Sequence, residues 1–200
     1  MYIYIKRLFD IILSIFLLVS LSPIYLMIIL MISLSMGRPI LFKQERVGIN
    51  EVKFKILKFR TMSEKKALSQ TDSSRITPLG SFLRTSSLDE LPGIINVLLG
   101  DMSFIGPRPL LTEYLGSYSA RERKRHHVKP GLSGLAQVSG RNSLEWSDKL
   151  ELDVIYVENI SFISDLKIFF KTFLVILNFK QINFKDDETM TNLKEERNDA

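Results

Sequence analysis

Residues 8–37, LFDIILSIFLLVSLSPIYLMIILMISLSMG, decide the fold of this chain, because they include 26 consecutive uncharged residues, Ile11 to Met36. As one straight helix such a run would extend about 39 Å, which exceeds the roughly 30 Å thickness of a bilayer core. The stretch contains no alanine and no small-residue cleavage site, so we expect it to be retained and not removed as a signal peptide. The sequence therefore predicts a helical membrane segment.

Pro23 lies near the middle of this segment and predicts a bend. Proline removes one backbone hydrogen bond and crowds the carbonyl four residues earlier, here that of Val19. Ser20 and Ser22 lie beside it, and their hydroxyls can donate to the carbonyls that the proline frees. We therefore predict a helix kinked at Ser22-Pro23 within residues 1–36.

Basic residues flank the apolar segment on both sides. They are Lys6, Arg7, Arg38, Lys43 and Arg46. Since positive charge collects on the cytoplasmic side of a membrane, both ends are expected there, as in a re-entrant hairpin. Length alone also allows a straight span, so both topologies stay open on these grounds. Asp10, at the entrance, is expected at the headgroup level, paired with Lys6 or Arg7.

The rest of the chain is basic, apart from its end. The net charge is +5 at pH 7, although residues 181–200 carry six acidic and three basic side chains and are predicted to form a mobile tail. A basic body beside a long apolar segment favours an anionic phospholipid membrane or phosphate-rich ligands. Because recognition-helix, zinc-finger and aromatic-platform patterns are missing and there is no cysteine, we expect neither a nucleic-acid partner nor a cysteine-ligated metal.

Residues 39–62 predict a β-hairpin. Their sequence, PILFKQERVGINEVKFKILKFRTM, alternates apolar and polar side chains around a turn at residues 47–50. In the second strand Lys58 and Arg60 are two residues apart, so both should point to one face of the hairpin and Phe59 to the other.

Helical patterns dominate the remaining sequence. Helices are predicted over residues 112–127 and 143–158, and Gly100 is expected to end a short apolar helix. Residues 160–179 are mostly apolar with one charged edge, which is typical of a helix lying in the membrane interface. The charged residues of that edge are Asp165, Lys167 and Lys171. The predicted fold class is mainly α, with one small β-hairpin.

The stretch SSLDELPG (86–93) places two carboxylates side by side. Ser87 to Glu90 fits the S-x-x-E capping box, in which acidic residues complement the positive start of a helix. An aspartate there is expected to stay ionised, and an ionised carboxylate can attack phosphorus to form an aspartyl-phosphate. Adjacent helical residues diverge by about 100°, so one carboxylate would be the nucleophile while the other holds a metal or orients a group. The motif alone leaves helix cap and reactive site open.

Several basic residues could bind phosphate. Arg108 lies in GPRP (106–109), where two prolines lock the backbone and lower the cost of fixing the guanidinium. Arg141 follows glycines and precedes a helix, where backbone N–H groups and a guanidinium can share a phosphate. The other candidates, which could equally be surface charges, are Lys58, Arg60 and Arg84. The residues thus indicate a membrane-bound protein that handles phosphate groups, without naming a reaction.

Five motifs in a fixed order carry a resemblance. They are KRLFD (6–10), KILKFRTM (55–62), SLDELP (87–92), GDMSFIGPRPLL (100–111) and KPGLSGLAQVSGRN (129–142). Together, over residues 2–180, they resemble the bacterial monotopic phosphoglycosyl transferases. Within that family the chain looks most similar to the small enzymes that transfer a bacillosamine phosphate to initiate protein glycosylation.

This resemblance implies a mainly α-helical, monotopic fold. Residues 1–36 would form a re-entrant membrane helix broken at Ser22-Pro23, which selects the hairpin over the straight span. Residues 37–180 would form a catalytic domain at the cytoplasmic face of the bacterial inner membrane, followed by the charged tail.

The resemblance also implies a reaction. It is the Mg²⁺-dependent transfer of a sugar-1-phosphate from a UDP-sugar to polyprenyl (undecaprenyl) phosphate, with release of UMP. The expected sugar is an N-acetylated amino sugar such as diacetylbacillosamine. By position, Asp89 matches the nucleophile that forms an aspartyl-phosphosugar intermediate and Glu90 its partner, and both would hold the metal. The matching phosphate-binding positions are Lys58, Arg84, Arg108 and Arg141. Downstream glycosyltransferases are expected partners.

Two other hypotheses compete with this one. The first is a catalytically silent membrane scaffold that recruits later glycosyltransferases. The second is a hydrolase of polyprenyl or nucleotide diphosphates, which would use the same aspartyl-phosphate chemistry with water as the acceptor.

Overall fold

The computed structural model describes residues 2–64, 71–140, 144–177 and 193–198. Its α-helices are α1 (Tyr2–Ser20), α2 (Ser22–Met36), α3 (Asp72–Arg75), α4 (Pro78–Thr85), α5 (Gly93–Leu99), α6 (Leu135–Ser139), α7 (Trp146–Glu158), α8 (Phe162–Leu177) and α9 (Leu193–Asn198). Its strands are β1 (Leu41–Val47), β2 (Lys53–Phe59), β3 (Ser103–Ile105) and β4 (Gly131–Ser133). The mainly α class with a small hairpin is confirmed.

The kink at Ser22-Pro23 is confirmed. Helices α1 and α2 are bent by 62° relative to each other. The Ser22 hydroxyl donates to the carbonyl oxygen of Val19 at 2.8 Å, which is the carbonyl that Pro23 leaves without its helical donor. Across the described residues, every single helix is too short or too polar to cross a bilayer, whereas the bent pair together meets the length and composition that a crossing requires.

The bent pair packs against the rest of the chain through its inner faces. Helix α2 contributes two buried isoleucines to a cluster with β2 and α4; its fully buried members are Ile28, Ile32, Phe59 and Leu83. Helix α1 is fixed to the end of α5, because Arg7 donates to the carbonyl oxygens of Val97 and Leu98 at 2.6 and 2.8 Å. Residues 2–36 therefore pack directly on the rest of the described chain. The division into a membrane segment and a catalytic domain at residue 36 stays a prediction.

Asp10 has different partners from those expected from the sequence. Its side chain is only 5% exposed and accepts hydrogen bonds from the Ser103 hydroxyl and the Phe104 amide, both at 3.2 Å. Among the described residues Asp10 has no ion pair with Lys6 or Arg7, because packing of α1 on β3 buries its carboxylate where it accepts these two hydrogen bonds. Its expected place at the headgroup level stays a prediction.

Lys6 pairs instead with Asp165 of α8. Asp165 also accepts a hydrogen bond from the Tyr156 hydroxyl at 2.7 Å and is buried. It therefore does not share an exposed polar edge with Lys167 and Lys171, which corrects the predicted arrangement of that helix. The rest of α8 keeps a broad exposed apolar face. Its members are Phe162, Ile163, Leu166, Phe170, Phe173 and Leu174.

The β-hairpin has the predicted strands and a longer turn. β1 and β2 pair antiparallel from Leu41 opposite Phe59 to Val47 opposite Lys53. The connection includes the 3₁₀ segment Ile49–Glu51, so the turn extends beyond the predicted residues 47–50. Phe59 enters the core, opposite to Lys58, as the alternation predicts.

Two elements were not expected from the sequence. β3 and β4 form a short parallel pair in which Ser103 lies opposite Gly131 and Ile105 opposite Ser133. This pair joins GDMSFIGPRP to KPGLSG, and both stretches are too short and too rich in glycine to be recognised as strands by alternation.

The predicted helix over residues 112–127 is instead two 3₁₀ segments, Thr112–Ser117 and Glu122–His127. The helix predicted over 143–158 is found as α7, which ends at Glu158 as expected. At the chain end, α9 places Leu193 in a buried cluster; the other buried members are Tyr114, Tyr118, Trp146 and Leu150. The other residues of 181–200 lie outside the described part of the chain, so the mobile tail stays a prediction.

Candidate active site

The two neighbouring carboxylates lie on a short 3₁₀ segment, Leu88–Glu90, ahead of α5. Ser87 has φ 56° and its side chain makes no capping hydrogen bond, so the capping-box interpretation is wrong. Helix α5 begins only at Gly93, after Pro92, because proline suits the first turn of a helix and not its interior. The pair is therefore held by tertiary contacts and not by a helix cap.

Glu90 is the carboxylate that binds the basic residues. Its Oε1 atom accepts from Lys58 Nζ at 2.8 Å and from Arg108 Nη2 at 3.4 Å. Burial opposes ionisation, but the charges of Lys58 and Arg108 outweigh it and hold the pKa of Glu90 well below its usual range. Glu90 is thus a fixed anion that positions two cations.

Asp89 has the opposite electrostatic environment. It is 9% exposed, and burial, followed by the negative charge of Glu90, raises the pKa of Asp89 to about 6. Lys58, Arg84 and Arg108 oppose this shift. The direction differs from the sequence-based expectation of a carboxylate ionised by a helix start. A buried carboxylate of raised pKa near three cations is a candidate reactive group.

Three of the predicted basic residues surround the carboxylates. Lys58 and Arg108 contact Glu90 directly. Arg84 lies close enough to Asp89 to influence its pKa and donates from Nε to the Thr61 hydroxyl at 3.0 Å. These cations come from β2, the GPRP loop and α4, so only the folded chain brings them together.

The other two predicted basic residues are placed differently. Arg60 donates to the carbonyl oxygens of Met36, Gly37 and Arg38 at the end of α2, so its guanidinium is occupied by a structural role away from Glu90. Arg141 lies outside the described residues, and its predicted role in binding phosphate stays a prediction.

A shallow, open cleft adjoins Glu90. Its apolar part includes Ile56 and Leu57 of β2, together with Met102 and Leu132. The polar lining consists of Arg46, Lys58, Glu90 and Arg108. A cleft lined by both apolar and cationic side chains suits an anionic ligand that also has a flat or apolar part.

Arg46 and Arg125 are site residues that the sequence did not single out for this purpose. In the sequence Arg46 stands out only as a charge that flanks the apolar segment. The signal that places it is the alternation along β1, which puts Arg46 on the same face of the strand as Gln44. Arg125 belongs to the run RERKRHH (121–127), in which Arg125 and His126 are buried, and no local signal distinguishes the buried members of such a run.

Arg125 supports the loop that carries Arg108. Its guanidinium donates to the carbonyl oxygen of Arg108 at 2.6 Å and to Asp153 Oδ2 at 2.7 Å. The Arg125 and Asp153 side chains are 1% and 4% exposed, so the ion pair is sealed from water. The position of the loop that carries Arg108 therefore depends on Arg125, in the 3₁₀ segment Glu122–His127, and on Asp153 in α7.

Replacing Arg125 with alanine should destabilise the protein by about 3–5 kcal/mol, because the mutation leaves Asp153 as a buried, uncompensated charge. Urea unfolding followed by circular dichroism measures the change in the free energy of unfolding. The matched control is Arg121→Ala in the same basic run, where an exposed pair with Glu151 is removed and the midpoint should move far less. Equal shifts for the two variants would show that the buried pair has no special role.

Known proteins share sequence with nearly the whole of this chain. Residues 1–179 match the family model described as bacterial sugar transferase. The chain is 48% identical over 166 residues to a Bacillus subtilis sugar transferase named EpsL, itself uncharacterized, and the match covers 82% of both chains. It is 37% identical to the exopolysaccharide production protein ExoY of Sinorhizobium fredii, covering 84% of this chain and 83% of that protein.

A relative with a named reaction is the UDP-glucose:undecaprenyl-phosphate glucose-1-phosphate transferase of Klebsiella pneumoniae. It is 40% identical over 180 residues, which cover 84% of this chain but 39% of that longer protein. The resemblance to phosphoglycosyl transferases is thereby confirmed, whereas a bacillosamine-specific subtype is not indicated by these names. From its match over nearly the whole length and its close relatives, the chain belongs to the bacterial sugar transferase family.

Proposed function

We propose that this enzyme transfers a sugar-1-phosphate from a UDP-sugar to undecaprenyl phosphate, releasing UMP, through a covalent intermediate on Asp89. The observation that carries the proposal is the buried Asp89 beside Glu90, with Lys58, Arg84 and Arg108 around the pair. Relatives named for this reaction with UDP-glucose, or for undecaprenyl-phosphate galactose transfer, support the substrate classes.

In the first step an Asp89 carboxylate oxygen attacks the phosphorus that bears the sugar. The bond from that phosphorus to the bridging oxygen breaks, and UMP leaves with the electron pair. In the second step a phosphate oxygen of undecaprenyl phosphate attacks the same phosphorus and releases the Asp89 carboxylate. The acceptor is already anionic and needs no general base, so the main obstacle is repulsion between anions, which the fixed cations lower. Ping-pong kinetics are expected.

The carboxylate pair also fits Mg²⁺. Within the described part of the chain, no cluster of three or more His, Cys, Asp or Glu side chains could hold a metal by itself. Mg²⁺ is commonly bound by one or two carboxylates together with substrate phosphates, so Asp89 and Glu90 would hold it when the diphosphate is present. Bound there, Mg²⁺ supplies positive charge that neutralises the phosphate oxygens.

The apolar outer faces of α1, α2 and α8 support a membrane location. Tyr4, Val19 and Leu34 are 83%, 70% and 80% exposed, and exposed apolar surfaces of this extent mark contact with lipid or protein. We propose that the bent pair is re-entrant in the cytoplasmic face of the bacterial inner membrane, where anionic phospholipid would meet the basic flanks. Downstream glycosyltransferases are proposed as later partners on this surface.

The sugar is proposed from the sequence resemblance. An N-acetylated amino sugar such as diacetylbacillosamine is the first donor to test. Glucose and galactose, which appear in the names of relatives, are the next two.

The decisive experiment measures UMP release and lipid-linked product together. The full chain, purified in detergent or nanodiscs, is incubated with Mg²⁺, undecaprenyl phosphate and each UDP-sugar in turn. We expect UMP and lipid-linked sugar phosphate in equal amounts for one donor. UMP release without lipid-linked product would instead indicate a diphosphate hydrolase, and absence of both with every donor would indicate a scaffold.

The first half-reaction should slow as the pH falls through about 6. Burial and the neighbouring Glu90 charge raise the pKa of Asp89 to about 6, and only the carboxylate form can attack phosphorus. The nucleophile is therefore mostly ionised above this pH and mostly protonated below it. Rapid-quench measurement of UMP formation in a single turnover, from pH 5 to 8, checks the prediction. A burst rate independent of pH in this range would contradict the assignment.

A further inference from the structure

Arg46 is a third cation on the cleft beside the carboxylate pair. It lies on β1, whereas Lys58 lies on β2 and Arg108 on the GPRP loop, and all three line the same cleft as Glu90. Glu90 accepts from Lys58 and Arg108, and in the described residues Arg46 has no carboxylate within ion-pair distance. The polar wall of the cleft therefore carries three positive charges and one negative charge.

The guanidinium of Arg46 uses only some of its hydrogen-bond donors within the protein. One terminal nitrogen donates to Gln44 Oε1 at 2.6 Å, and the other reaches the carbonyl oxygen of Pro109 at 3.4 Å. Its Nε atom is buried without a hydrogen-bond partner. Burial, and then the charge of Arg108, lowers the pKa of Arg46 to about 10. A partly buried guanidinium with an unused donor and a like-charged neighbour is a position where an anion would stabilise the fold.

The carboxylate segment contacts the bent helix pair and the cleft through different side chains. Leu88 and Leu91 pack into the cluster built on Ile28 and Ile32 of α2. Glu90, between them in sequence, opens towards the cleft. The cleft is therefore lined by the charged side chain of this segment and not by the residues that meet the helix pair, which suits a water-soluble group.

From this geometry we infer that Arg46 binds the phosphate of the departing nucleotide, so that the cleft is the UMP subsite of the enzyme. The inference rests on the proposed reaction. When Asp89 attacks the sugar-bearing phosphorus, the bridging oxygen keeps the bonding electrons and becomes a terminal oxygen of UMP. Negative charge therefore grows on the nucleotide phosphate, and a guanidinium held beside it stabilises that charge. The partly exposed apolar lining, Leu57 and Leu132, suits the flat uracil ring.

The test compares UMP with uridine as probes, using the full chain in detergent and isothermal titration calorimetry. Arg46→Gln should weaken UMP binding about tenfold or more, because a charge-assisted hydrogen bond to the phosphate is lost. Uridine binding should change less than about twofold, since uridine has no phosphate. Arg46→Lys, which keeps the charge but not the planar fork, should give an intermediate UMP affinity. Lys43→Gln, an exposed charge on the same strand, is the matched control and should bind UMP like the wild type.

A second measurement separates the nucleotide from the lipid. Wild-type and Arg46→Gln proteins, each loaded with phosphosugar and freed of UMP, are chased with undecaprenyl phosphate, and the chase rates should agree. Unchanged UMP affinity of Arg46→Gln, or an equal loss of uridine affinity, would overturn the inference. A slowed chase with unchanged UMP binding would assign Arg46 to the lipid phosphate instead. If no covalent intermediate forms, the proposed reaction fails, while UMP and uridine binding still decide the role of Arg46.

Discussion

Replacing Asp89 with asparagine should abolish transfer of the sugar phosphate, with a loss of at least about a thousandfold in turnover. An amide oxygen cannot act as the nucleophile at phosphorus, and removal of a nucleophile eliminates the covalent route. The measurement is single-turnover formation of the labelled phosphosugar-enzyme, together with UMP release. Labelling and turnover of Asp89→Asn at wild-type rates would refute the nucleophile assignment.

The Asp89 substitution should not owe its effect to unfolding. Because burial and Glu90 raise the pKa of Asp89, its ionised form is disfavoured in the folded state and lowers stability at pH values above that pKa. The neutral asparagine removes this penalty, so the variant should melt at the same or a higher temperature than the wild type at pH 8. Asp148→Asn, at the exposed start of α7, is the matched control and should retain full activity.

The substitution Gly131→Ala should lower both stability and activity, by displacing the loop that carries Arg108. Gly131 donates to the Pro107 carbonyl at 2.9 Å, and Gly106 donates to the Ser133 carbonyl at 2.8 Å. A Cβ atom on Gly131 would collide with the backbone nitrogen of Gly106 and the carbonyl oxygen of Ser133. We expect a loss of about 3 kcal/mol in the free energy of unfolding, since neither backbone atom can move freely, and at least about a tenfold loss of activity.

Gly116→Ala is the control for that experiment. A Cβ atom on Gly116 would meet no atom within 4 Å, and its backbone is exposed. Thermal melts and turnover assays of the two variants should therefore separate, with Gly116→Ala close to the wild type. If Gly131→Ala matched the control in both measurements, the β3–β4 pair would not be what fixes the Arg108 loop.

The elements that were predicted correctly are those with strong local signals. The kink follows from Pro23 and its neighbouring serine, whose hydroxyl takes over the Val19 carbonyl. The hairpin follows from alternation across β1 and β2, and the end of α5 follows from Gly100 with φ 97°. In each case the conformation depends on residues within a few positions of one another, so it can be read along the chain.

The predictions that were wrong concern residues whose environment is built from distant parts of the chain. Ser87 to Glu90 fits a capping box by spacing, yet Glu90 binds Lys58 and Arg108 instead. Asp10 binds Ser103 and Phe104, more than ninety positions away. A motif describes which bonds a side chain can make, while burial and long-range contacts decide which ones it does make.

The candidate site also combines features set by local sequence with features set by long-range contacts. The sequence by itself determined the apolar segment, its kink, the hairpin and the identity of the carboxylate pair, because these depend on composition and local spacing. Only the tertiary structure decided that Glu90 is the fixed anion and Asp89 the carboxylate of raised pKa, since burial and neighbouring charges set that difference. It also brought Arg46 to the cleft and diverted Arg60 to the end of α2, because electrostatic interactions act through space and not along the chain.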